Sequence, residues 1–170
     1  GLVPGTEDGI TAISIYLILY ITMNLGVFLF ILNMQRDQIN VTKIKDLSGL
    51  YKTEPIMAGC LAIILFSMAG IPPLAGFVGK LLILNVVVDS NLFILATIAV
   101  LTSVIAAFYY IRMVKSIFFD EPTEELDILT NNQSKLLMIL FSFFNLTVIL
   151  YPQFFLNLSA SIALSLFALK

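Results

Sequence analysis

Long apolar runs separated by short polar stretches set the organisation of this chain. Ile10 to Asn33 carries no charged residue, and as a helix it is long enough to cross about 30 Å of hydrocarbon. Thr6 and Asp8, just before it, are candidate N-terminal caps. Met34 to Glu54 turns polar, with Arg36, Lys43, Lys45 and Lys52 set against Asp37, Asp46 and Glu54. That stretch predicts an extramembrane loop with a short surface helix.

The second run, 55–88, is too long for one straight span: about 33 residues at a helical rise cover about 50 Å. Pro55 suits the first turn of a helix, where its missing N–H costs nothing. The middle reads Gly70-Ile-Pro-Pro-Leu-Ala-Gly76. Consecutive prolines at 72 and 73 remove two backbone donors and clash with the preceding turn, so the helix has to break. Broken backbone at membrane depth is tolerated where protein buries it or water reaches it. The expectation is a discontinuous helix whose break faces an interior. Asp89-Ser90-Asn91 predicts a tight turn that caps the next run, 92–119. Tyr109, Tyr110, Arg112 and Lys115 near the end of that run form an interfacial anchor pattern, and the cations suit the negative end of a helix dipole. A second polar stretch, 120–133, is rich in acids. The last run, 134–167, is interrupted at Pro152.

The pattern therefore predicts an all-α, polytopic membrane protein of about four transmembrane helices in a single membrane domain, the second helix discontinuous. Composition agrees: 59% of residues are hydrophobic and 12% charged, about half the charge of a soluble domain. The basic residues cluster in or beside the two long polar stretches, so the positive-inside rule puts both on the cytoplasmic or matrix side. The net charge of -2 and the missing basic patch argue against nucleic-acid binding. With one cysteine, Cys60, and no histidine, neither an internal disulfide nor a zinc, haem or iron–sulfur ligand set is available. The chain opens at Gly1 on a loop-like segment without a signal-peptide pattern, which reads as a cut or as a subunit completed by another chain.

Lys80 is the one ionisable residue well inside an apolar run. Placing it near mid-bilayer costs about 2.5–3.5 kcal/mol. A lysine held away from bulk water can act as a proton relay, loading and unloading as its surroundings change. The adjacent break would free carbonyls and admit water. The rival reading is a snorkelling lysine, since Asp89 lies roughly 13 Å further along a helix. Ser67, Thr102, Ser103 and Asn145 are candidates to bond water or Lys80, or else to tie helices together. Asn24, close to Gly26, fits helix packing. Glu54 is either a proton-admitting group or a solvated cap. Three acceptor triplets begin at Asn40, Asn145 and Asn157, and two lie in apolar runs, which discounts them as glycosylation sites. Phe141 to Phe144 reads as packing or lipid-facing material.

The run Phe66-Ser-Met-Ala-Gly-Ile-Pro-Pro-Leu-Ala-Gly-Phe-Val-Gly-Lys80 resembles the Ser-Leu-Ala-Gly-Ile-Pro-Pro-x-x-Gly-Phe-x-x-Lys signature of the antiporter-like membrane subunits of respiratory NADH:quinone oxidoreductase (complex I). Its Gly-Phe-x-x-Lys close is similar to subunit 2; subunit 4 usually carries Glu at the lysine position. Ile15-Tyr-Leu-Ile-Leu-Tyr-Ile-Thr-Met-Asn-Leu-Gly-Val-Phe28 is similar to the family's preceding helix. Tyr109-Tyr-Ile-Arg-Met-Val114 and Tyr151-Pro-Gln153 resemble its later landmarks, so the likeness covers nearly the whole chain.

The resemblance implies the last four helices of a fourteen-helix subunit of the mitochondrial or bacterial enzyme, with Lys80 at the relay position and Gly70, Pro72, Pro73 and Gly76 shaping the break. Ser67, Thr102, Ser103, Tyr110 and Glu54 would be a possible polar path. NADH, flavin, iron–sulfur clusters and ubiquinone would belong to other subunits, so this chain would carry none. Its partners would be lipids, neighbouring antiporter-like subunits and whatever supplies the missing first half. A subunit of a sodium/proton antiporter complex and a structural subunit with a decayed channel are the rival readings. The Phe-, Ile- and Asn-rich composition suggests an AT-rich organellar gene, hence the mitochondrial inner membrane.

Overall fold

The computed structural model describes residues 2–36, 39–40, 43–122, 127–128, 132–148 and 157. Its elements in chain order are α1 (Glu7–Leu32), β1 (Met34–Arg36), β2 (Ile39–Asn40), a 3-10 turn (Ile44–Leu47), α2 (Leu50–Thr53), α3 (Pro55–Ala69), α4 (Ala75–Asp89), α5 (Phe93–Phe119), β3 (Asp127–Ile128) and α6 (Asn132–Thr147). The expected interruption at Pro152 and the chain beyond it lie outside the described residues, apart from Asn157.

Thr6 caps α1 as the sequence predicts: its Oγ1 accepts from the Gly9 N–H at 3.1 Å, and Glu7 and Asp8 sit in the positive first turn. Pro55 occupies the first turn of α3. The long second run is indeed two helices, α3 and α4, in line through a five-residue break. One expectation fails at the next turn. Asn91 adopts a left-handed backbone (φ 58°), and Ser90 bonds back to the Val86 carbonyl at 2.7 Å. The turn closes α4; α5 starts from Leu92 without a side-chain cap. Asn tolerates the left-handed region better than other non-glycine residues, which suits it to a helix exit.

α3 is the hub. Met57, Ala58, Leu61, Ile64, Leu65 and Ser67 are all at most 2% exposed, enclosed by α1, α5 and α6. Lipid tails give little net drive for helices to associate, so close approach has to come from small residues at the contacts. At Gly26 an added Cβ would lie 2.6 Å from Ile64 Cδ1, and at Gly79 it would meet Leu19 and Tyr16 at 3.4 Å. The packing reading of this part of α1 thus belongs to Gly26. Asn24, by contrast, bonds its own helix at the Tyr20 carbonyl (2.7 Å). Phe141 and Phe144 pack against the core while Phe143 stays 62% exposed.

The polar stretches add something the apolar pattern did not suggest. β1 pairs antiparallel with β2 (Gln35 opposite Asn40) and with β3 (Gln35 opposite Asp127). This small sheet joins the two long polar stretches, so both lie at the same end of the helices. The Ser48 and Ser116 hydroxyls meet at 3.0 Å, and the Gly49 N–H donates to the Ser116 carbonyl at 3.1 Å, tying the first stretch to α5 as well.

Candidate functional site

The break sits where two helix ends face each other. An α-helix leaves its last carbonyls and its first amides without intrahelical partners. In an unbroken helix the Met68 and Ala69 carbonyls would accept from residues 72 and 73. Those residues are Pro72 and Pro73, joined by a cis peptide, and neither has an N–H to give. Gly70 ends α3 in the left-handed conformation (φ 84°), which only glycine adopts readily. Its N–H and that of Ile71 return to the Phe66 carbonyl, both at 3.1 Å.

Lys80 takes up the two carbonyls that the prolines strand. From the second turn of α4 its Nζ reaches back, donating to Met68 O at 3.0 Å and to Ala69 O at 3.1 Å. The ammonium therefore caps the negative end of α3. It does not run toward the Asp89 turn, as a snorkelling lysine would.

The other half of the break is capped from the opposite direction. Ser67 Oγ accepts from the Gly76 N–H at 2.9 Å and donates to Asn145 Oδ1 at 2.8 Å. The Asn145 amide in turn donates to the Phe141 carbonyl at 2.8 Å. Ser67 and Asn145 are both fully buried. Residue 76 has to be glycine for this contact, because a Cβ there would collide with the Ser67 carbonyl oxygen. The two helices thus cap each other: α3 supplies a hydroxyl to the start of α4, and α4 supplies a cation to the end of α3.

Lys80 lines two clefts. One, of about 210 Å³, lies between α1 and α5 and is walled by Tyr16, Tyr20, Met23, Met68, Gly76, Thr102, Ser103 and Tyr110. It has room for several water molecules. The other, of about 220 Å³, lies between α4 and α5 and is almost wholly apolar, with Phe77, Leu81, Leu84, Val100 and Val104. Ser103 borders both. The Thr102 hydroxyl bonds its own helix at Ile98 O and Ala99 O, both at 3.0 Å.

Of the residues predicted from sequence, Lys80, Gly70, Gly76, Ser67, Thr102, Ser103 and Tyr110 converge here. Tyr110 joins the cleft; its neighbour Tyr109, 58% exposed, keeps an outward position. Glu54 does not converge. It lies at the far end of α3 and meets Lys135 at 3.5 Å. Pro72 and Pro73 depart from expectation in another way: their side chains are exposed, so the break is not buried throughout. The polar half, its carbonyls, turns inward to Lys80. The half left at the surface is the half with no N–H to satisfy. Sequence reasoning missed Tyr16 and Tyr20, stacked at 5.8 Å between ring centroids. Their spacing of four, which puts both on one helix face, was the available signal. Of the two readings of Asn145, the helix-tying one holds: its side chain joins α6 to α3 through Ser67.

A family model described as NADH:quinone oxidoreductase/Mrp antiporter, TM, matches residues 1–106, which include the whole break and Lys80. The chain belongs to this family. Among curated relatives, the NADH-quinone oxidoreductase subunit N of Rhodospirillum rubrum is 48% identical over 139 residues, covering 82% of this chain and 28% of that protein. The subunit N of Beijerinckia indica is 42% identical over 170 residues, covering 98% of this chain and 35% of the relative. The chain thus spans about a third of the length of the relatives it matches. Two solved structures share the fold at 24% identity: respiratory complex I from Thermus thermophilus with bound aureothin (TM-score 0.77, 87% of this chain and 34% of that one) and the Mrp complex from Dietzia (TM-score 0.78, 93% and 38%). Membership in this family fits the broken, apolar helices.

Proposed function

We propose that this chain is the C-terminal part of the antiporter-like subunit of a proton-translocating NADH:quinone oxidoreductase, and that Lys80 relays protons within it. The observation that carries the reading is the position of Lys80: its Nζ is held at a helix break, in the wall of a hydroxyl-lined cleft large enough for water. A relay needs a group that exchanges protons, a polar route to it and surroundings that can differ between loaded and unloaded states. A lysine in the wall of a cleft with hydroxyl-bearing residues supports the first two, and the third is what coupling to the rest of a complex would supply. The chain would take part in the enzyme as a membrane subunit without redox chemistry of its own. NADH, flavin, iron–sulfur clusters and quinone would be held by other subunits, and the remaining two thirds of the relatives' length by a partner chain or adjoining segment. Thr102, Ser103 and Tyr110 would line the polar path, whereas Glu54 stands apart from it. The relatives named above are bacterial, which favours a bacterial plasma membrane over the mitochondrial inner membrane suggested by composition. The two polar stretches would lie on the cytoplasmic side, or the matrix side in a mitochondrion.

The test is Lys80→Met in the assembled, reconstituted complex, with NADH-to-quinone turnover and proton pumping recorded together. Turnover and pumping should both fall while assembly persists. Unchanged turnover and pumping would overturn the relay and leave a structural subunit. A second reading, a subunit of a cation/proton antiporter complex, is favoured by the Mrp half of the family description. It predicts sodium/proton exchange that depends on Lys80 without any dependence on NADH.

A further inference from the structure

We infer that Lys80 is also the latch of the broken helix, so that its proton load decides whether α3 and α4 are gripped at two points or at one. This rests on the proton-carrying role proposed above and deepens it.

Met68 O and Ala69 O lose their helical donors to Pro72 and Pro73, and Lys80 Nζ donates to those same two atoms. An ammonium has three N–H groups; two are spent on these carbonyls. Gly70 clears the approach, since a Cβ there would stand 3.1 Å from both Nζ and Cδ of the lysine. When the ammonium gives one proton to a water molecule in the cleft, hydronium forms. The amine keeps two N–H groups and gains a lone pair. Bonds to an uncharged donor lose their charge assistance, roughly half their strength, and a lone pair turned toward a carbonyl oxygen repels it. The neutral lysine can still donate to both carbonyls, but only as a weaker cap whose lone pair is left without a donor.

Its cleft is shared with other polar side chains: Tyr16 and Tyr20 of α1 and Tyr110 of α5 line the wall. Among the described residues these are the titratable side chains that share the cleft with Lys80; α3 offers it backbone oxygens, and α6 reaches the break through the uncharged amide of Asn145. A phenol can donate to an amine lone pair, which a carbonyl cannot. Loss of the proton thus moves the lysine's best partners from α3 to the hydroxyl cleft.

The second grip does not depend on that proton. Ser67 Oγ holds the Gly76 N–H and is itself held by Asn145. On discharge the break would stay pinned at Ser67 and Gly76 and loosen over residues 70–74. On reloading, Lys80 would close it again. Proton occupancy would then be read out as the shape of the helix.

Hydrogen–deuterium exchange on the assembled complex tests this. The segment 66–80 would be followed in the natural protein, in Lys80→Arg and in Lys80→Met. Arginine keeps a permanent charge and a fork of donors, so its segment should stay protected at every pH even if pumping is lost. Methionine should raise exchange there roughly tenfold, with the helix ends at the polar loops unaffected. In the natural protein, exchange corrected for its intrinsic pH dependence should rise as pH is raised, and Lys80→Arg should stay flat. Equal protection in Lys80→Met and the natural protein would overturn the latch, as would parallel pH profiles in the natural protein and Lys80→Arg. Those profiles decide the matter even if the methionine variant does not assemble. A Lys80→Arg variant that stays latched and still pumps would sink the relay while leaving the latch standing.

Discussion

At the scale of single residues, the space around the missing Cβ separates a glycine that matters from one that does not. Gly76 lies against the Ser67 carbonyl, and a Cβ there has nowhere to go. Gly76→Ala should therefore push α4 off α3, at a cost of about 1–3 kcal/mol or more, seen as a lower midpoint in thermal unfolding of the purified protein. Gly59 is helical too, but nothing lies within 4 Å of its missing Cβ. Gly59→Ala should be neutral or stabilise by up to about 1 kcal/mol, and a loss in the same assay would contradict the helix geometry described here. Ser67→Ala is the companion test. It removes a single oxygen atom, yet it strands the Gly76 N–H and the Asn145 oxygen in a buried place, a penalty of about 1–3 kcal/mol. Double substitution with Asn145→Leu should cost less than the sum of the two singles, because once Ser67 is gone Asn145 has lost that bond already.

At the scale of helices, the break works because each half repairs the other's end. The prolines decide where α3 stops, and the lysine one turn into α4 decides that its stopping leaves no stranded carbonyl. The opposite end of α3 is built differently. Glu54 precedes Pro55 and pairs with Lys135 near the start of α6 at 3.5 Å, with side chains 30% and 36% exposed. An ion pair that wet contributes about 0–1 kcal/mol. Glu54→Gln should leave assembly and proton pumping close to those of the natural protein. A loss of pumping comparable to that of Lys80→Met would restore Glu54 to the proton path despite its distance from the cleft.

At the scale of the whole molecule, the two polar stretches pair through β1 and β3, while the Ser90–Asn91 turn and the start of α1 lie at the other end of the helices. Single cysteines at Lys52 and Glu121, placed in a Cys60→Ala background, should be labelled by an impermeant maleimide from one face of sealed vesicles. A cysteine at Asn91 should be labelled only from the other. Labelling of all three from one face would refute the arrangement. The outer surface of α5, with Ile94, Leu101, Val104, Ile105 and Phe108 all more than half exposed, is as apolar as a core. Such a surface is stable against lipid or against apolar helices of a partner, and both fit a chain that spans about a third of its relatives' length.

The apolar run lengths, read as spans, and the Pro-Pro pair by themselves determined where the long helices α1, α3–α4 and α5 run and where the second of these runs breaks, because backbone hydrogen bonding in lipid leaves few alternatives. Lys80 also stood out unaided, since a charge in an apolar run is costly wherever it points. Tertiary structure decided where that charge points. A lysine at this position can reach an interface or a carbonyl, and only the closeness of α3 and α4, permitted at Gly76, puts Met68 and Ala69 within its reach. The same holds for Ser67 and Asn145, 78 residues apart in the chain and 2.8 Å apart in space, and for Tyr16, Tyr20 and Tyr110, which line one cleft because α1 and α5 flank α4. Periodicity shows which face of a helix a residue occupies. It does not show which other helix that face will meet, and the polar chemistry of this site is made between helices.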